Sequence, residues 1–190
     1  MRAKDFGLLL FFIVCAVISL TASRTFAQVQ PENANVTVSN SDFELLLGKW
    51  SGVMTSFEYG NDSTQMRTDV DWNVTESDSG LVTTITYWDE GGESEEAVGL
   101  ITASAEGKRI VMDGKGWIVW AKRETENGRT IVFQGPGQDN NRNAQITHVL
   151  YMSFPDSSRQ DSVVLTKKVL YENAGHEIER NQFRLGRVKE

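Results

Sequence analysis

Leu47-Gly48-Lys49-Trp50-Ser51-Gly52 is where the chain changes character. Upstream, Phe43, Leu46 and Leu47 fall at spacings of three and four, the period of a helix face. Ser39 or Ser41 is placed to cap that helix, and Asp42 and Glu44 suit its first turn. Gly48 ends it. Downstream, the apolar period becomes two. A large indole just past a helix stop, at the head of a long series of strand-like segments, reads as the plug in the floor of a small closed barrel.

The clearest of those segments is residues 65–75. Met66, Thr68, Val70, Trp72 and Val74 share one face, and Gln65, Arg67, Asp69, Asp71 and Asn73 share the other. Such alternation marks an antiparallel strand with one wet face. Further strands are predicted over Leu81 to Tyr87, Ala97 to Ala103, Lys108 to Met112, Trp117 to Arg123 and Arg129 to Gln134. Gln145 to Phe154, Ser162 to Tyr171 and Glu177 to Leu185 complete the series. Turn signals separate them, among them Gly91-Gly92, Asp113-Gly114 and Asn127-Gly128, and these are hairpin cues. Eight to ten strands at hairpin spacing, with no helices between them, predict an all-β, antiparallel up-and-down barrel, because closure removes exposed sheet edges. A sandwich is the alternative.

Residues 1–27 read as a signal peptide. Arg2 and Lys4 precede an apolar run from Gly7 to Leu20, and Thr25-Phe26-Ala27 places small residues before a cut after Ala27. Cleavage after Ala22 or Ser23 and an uncleaved anchor are the alternatives. Cys15 lies within the apolar run and follows Val14, which disfavours lipidation. Cut at Ala27, the chain has 163 residues, no cysteine, and 16 basic against 25 acidic residues, a net charge of −9. It therefore relies on its core rather than on disulfides, and a secreted or periplasmic location is expected. The acidic balance argues against nucleic acid and against anionic lipid surfaces. No membrane span is expected in the mature chain, and a monomer is expected. Residues 28–40 are polar and read as a flexible leader, and residues 41–190 as one barrel domain. Sequons at Asn35, Asn61 and Asn73 matter only on a eukaryotic secretory route.

The short helix, Gly48-Lys49-Trp50, the meander and the arginine-rich last strand together resemble the calycin superfamily. The chain is most similar to bacterial secreted lipocalin-like domains of unknown function. The resemblance implies that the tryptophan of the first strand packs under an arginine from the last one. Arg180-Asn181-Gln182-Phe183-Arg184-Leu185 supplies two candidates, Arg180 and Arg184, expected on the same side of the strand and worth about 0.5–2 kcal/mol as a cation–π contact.

Barrels of this kind point to a small apolar or amphipathic ligand in the lumen, with no cofactor required. The candidate lining comprises His148, Tyr87, Thr68, Thr83, Trp117 and Met112, an apolar wall with a few polar groups. His148 is expected to face inward, since Ala144, Ile146, Leu150 and Met152 share its face. It reads as a core histidine, a ligand anchor, or an axial ligand to haem. The haem reading draws on nitrobindin-type barrels, whose histidine lies nearer the C-terminus. A solid-core barrel acting through protein contacts is the competing reading, since small barrels can be filled by side chains. Residues 89–96 carry five acids and read as a solvated hairpin, with no metal-loop spacing. Residues 135–141 read as a long polar loop over one mouth. No nucleophile motif or zinc motif is present, so a catalytic role is not favoured.

Overall fold

The computed structural model describes residues 36–58, 61–156, 160–172 and 174–189, with the strand path alone for 61–64. The predicted signal peptide lies outside the described residues. A short 3₁₀ helix, Asn40–Leu46, precedes ten strands: β1 (Gly48–Glu58), β2 (Asn61–Ser77), β3 (Gly80–Trp88), β4 (Ser94–Ala103), β5 (Arg109–Met112), β6 (Lys115–Thr125), β7 (Gly128–Asp139), β8 (Arg142–Ser153), β9 (Ser162–Tyr171) and β10 (Ile178–Arg187). Each strand pairs antiparallel with its sequence neighbour, and β1 pairs with β10 to close the barrel. The up-and-down barrel expected from the period-two pattern is therefore the fold, and the sandwich is not.

One face of each strand fills the interior. On β2, Val70, Trp72 and Val74 are buried while Asp69, Asp71 and Asn73 are exposed. On β8, Ala144, Ile146, His148, Leu150 and Met152 are all buried. The alternation read in the sequence is thus the inside–outside alternation of the wall.

The floor is built around Trp50, which is 1% exposed. Its indole Nε1 donates to the carbonyl of Leu46 at 2.6 Å, tying β1 to the helix end. The cation over the ring is Arg187, 4.2 Å from the ring centroid, rather than Arg180 or Arg184. Arg187 also donates to the carbonyls of Leu47 at 2.7 Å and Leu45 at 3.1 Å, and to Asp161 at 2.8 Å. It thereby satisfies carbonyls that the helix end would leave without partners. Gly48 sits at φ +113, where a side chain is strained, and a Cβ there would lie 2.8 Å from Arg187 Nη1. At Gly52 a Cβ would strike the backbone of Arg184 and Leu185 across the closing seam.

The expectation that Arg180 and Arg184 share a face fails because a bulge lies between Glu179 and Asn181. The extra residue shifts the side-chain phase. Arg180 turns inward and is 6% exposed, whereas Arg184 points to solvent and binds Gln182.

Asp42 ties the helix to the opposite wall through Lys122 Nζ at 2.6 Å and Arg129 at 3.2 Å. Burial alone raises its carboxyl pKa. The Lys122 and Ser39 hydrogen bonds and the charges of Lys122 and Arg129 outweigh that and hold it below its ordinary value. The end of the expected leader is also packed: Val38 is 4% exposed, and its N–H donates to Gly107 O at 2.9 Å.

One further segment departs from the sequence reading. Residues 135–141 form no lid. β7 runs through them to Asp139, and Asn140-Asn141 turns directly into β8 with φ of 48° and 58°. That is the two-residue turn that suits hairpin twist. Pro136 is tolerated because the β6–β7 ladder ends at Ile118/Gln134, so the missing N–H faces no partner on that side.

Candidate functional site

The end of the barrel opposite the helix is open. β3 pairs with β2 only from Asp69/Trp88 inward, while β2 continues outward alongside β1. Between that projecting part of β2 and the β3–β4 hairpin lies a cavity of about 1040 Å³. Tyr87, Thr68, Met66 and Trp88 line it, together with residues of the acidic hairpin. Tyr87 reaches inward to Phe183, with ring centroids 6.4 Å apart. Burial, then the negative charges of Asp113 and Glu95, push the Tyr87 phenol above its usual pKa, so it stays a neutral donor. Trp88 is held by a 3.0 Å hydrogen bond from its Nε1 to Asp71 Oδ2, with 40% of its surface exposed.

A second cavity of about 380 Å³ lies beside the first and shares Met66 with it. Phe57, Lys167, Arg180 and Asn181 contribute to its wall. Its cations meet a carboxylate: Lys167 Nζ lies 2.6 Å from Asp139 Oδ1, and Arg180 Nε 3.3 Å from Oδ2. Tyr171 OH donates to the same Asp139 Oδ2 at 2.6 Å, and Arg180 donates to Tyr171 at 2.9 Å. Asp139 is 3% exposed, so burial makes this a tightly bound network rather than a solvated pair.

The six residues proposed from the sequence therefore divide. Tyr87 and Thr68 line the large cavity. His148 and Trp117 lie deeper, packed on each other with centroids 4.6 Å apart, and neither lines it. Thr83 is buried and Met112 half-buried, also away from that lining. His148 is stacked on Phe133 at 5.1 Å and is 7% exposed. Burial, then the charges of Lys167 and Lys115, lowers its pKa to about 4, so it is a neutral imidazole at ordinary pH. Its Nδ1 has no hydrogen-bond partner among the described residues. Haem finds no room here: His148 is 7% exposed and lines neither cavity, so a porphyrin would have to displace packed core side chains. Among the described residues there is no group of acidic, histidine or cysteine side chains that could hold a metal ion.

Met66 and the hairpin acids are the lining residues that sequence reasoning missed, whereas Trp88 is one of the large apolar side chains the sequence offers for a cavity wall. The alternation of β2 puts Met66 on the inward face, and its 50% exposure follows from its position beyond the β2–β3 ladder. The acids read as a solvated turn in sequence, and only the gap between hairpins turns them into a cavity wall.

No protein-family model matches the chain, and no curated protein matches it.

Proposed function

We propose that this chain is an exported lipocalin-like barrel of the calycin type that binds a small amphipathic molecule at its open mouth. The observation that carries the reading is the 1040 Å³ cavity walled by Tyr87, Trp88, Met66 and Thr68 at the end opposite the helical plug. Its volume is at the upper end of small-molecule sites, and its wall joins the apolar surfaces of Met66, Tyr87 and Trp88 to a larger set of polar and charged groups. The ligand lies at the mouth rather than deep in the lumen, because the layer of His148, Trp117 and Phe133 fills the interior. Export follows from the signal-like residues 1–27, and N-terminal sequencing of the mature protein should begin at Gln28.

Mass spectrometry of protein purified under native conditions should find a small molecule that is lost on denaturation. The Tyr87→Ala and Trp88→Ala variants should lose it while Thr83→Ser keeps it. Protein that carries no small molecule and saturates with none from an extract of its own culture contradicts the proposal. The competing reading, a solid-core barrel acting through a protein partner, draws support from the packed interior. A stoichiometric partner captured equally by wild type and Tyr87→Ala would favour it.

A further inference from the structure

We infer that the ligand of the mouth cavity is a cationic amphiphile, an organic ammonium carrying an apolar body; this rests on reading the mouth as a binding site. Asp69, Asp89, Glu90, Glu93 and Glu95 line the cavity, and Arg67 is the one cation among the described lining residues. A cavity walled by one sign of charge concentrates ions of the other sign. The wall is not merely acidic. Four large apolar side chains are exposed among the described residues, and two of them, Met66 and Trp88, line this cavity. Asp71 fixes the Trp88 indole by its N–H and leaves ring surface exposed. An indole face bordered by carboxylates is a favourable surface for an ammonium group. Tyr87 adds a second ring and a neutral hydroxyl donor.

An anionic head group has a poorer claim. The two cations of the smaller cavity, Lys167 and Arg180, are already paired with Asp139 and Tyr171. An incoming carboxylate would compete with a buried carboxylate held at 2.6 Å and would pass the acidic hairpin to do so.

Three probes sharing a dodecyl chain separate charge from apolar contact: dodecyltrimethylammonium, dodecanoate and dodecyl maltoside. Each is titrated by calorimetry below its micelle concentration. The ammonium should bind roughly tenfold or more tighter than either of the others, and should weaken as salt is raised. Glu93→Gln/Glu95→Gln should weaken it roughly fivefold and leave the maltoside unchanged. Asp89 is kept in that variant because its Oδ1 accepts the Glu93 N–H that shapes the turn. Equal binding of all three probes, tighter binding of dodecanoate, or an unaffected double variant overturns the cationic assignment and leaves the mouth as a binding site. Binding of none of the three overturns both.

Discussion

Arg187 does with one guanidinium what the floor needs done three times. It covers Trp50, caps the carbonyls of Leu45 and Leu47, and pairs with Asp161. Arg187→Ala should therefore lower the unfolding free energy by about 3 kcal/mol in urea titrations, from lost stacking and two uncapped carbonyls. Arg184→Ala, on the solvent face, should change it by less than about 0.5 kcal/mol. Equal effects would contradict the floor described here. His148 supplies a pH-dependent counterpart. Its folded pKa of about 4 lies below the ordinary 6.5. The unfolded chain thus takes up the proton first as pH falls. Stability is complete above 6.5, declines through the window down to about 4, and loses about 3 kcal/mol across it. His148→Phe keeps the stack with Phe133 but cannot titrate. Its stability relative to wild type should rise by that amount as pH falls through the window. A difference that stays constant with pH would show that His148 is not held neutral by burial. At this scale, Trp50 as floor plug was legible from its place just past the helix stop, and His148 facing inward from the period-two alternation of its strand. The partner of Trp50 was not, because the β1–β10 register that sets Arg187 opposite Trp50 is a property of the strand pair and not of either strand alone.

Among the elements, the turns separate what local chemistry announces from what pairing decides. Asp113-Gly114 was visible as a hairpin turn, whereas Asn140-Asn141 was hidden inside a polar run that reads as a loop. Both Asn residues hold positive φ, which Asn tolerates and Gly adopts freely. Asn141→Gly should stabilise the barrel by roughly 0.5 kcal/mol, read as a raised melting temperature, if β7 and β8 are joined as described. A destabilised variant would return residues 135–141 to a loop. Pro136 also discouraged a strand reading, and it fits only because the β6–β7 ladder stops two residues earlier. Ladder ends are properties of pairs of strands, so neither strand's own sequence displays them.

The whole molecule has a tied end and an open one. The helix, Trp50, Arg187 and the Asp42–Lys122–Arg129 group close the floor, and the interior is filled as far as the His148 layer. At the other end, β2 outruns β3 and leaves a walled cavity. Closure of the meander followed from its turn spacing, so the vessel was legible. The opening was not, since it depends on where the β2–β3 register ends and on which hairpins then face the gap. That is why Tyr87 and Thr68 belong to the cavity while Thr83, Met112, Trp117 and His148 sit apart from it. The most direct test is an amide chemical-shift titration of the full mature chain with dodecyltrimethylammonium. The account predicts saturable shifts grouped at Met66–Asp69 and Tyr87–Glu95, with Leu46, Trp50 and Arg187 unmoved. Shifts centred on the floor, or no saturable shift anywhere, would contradict it.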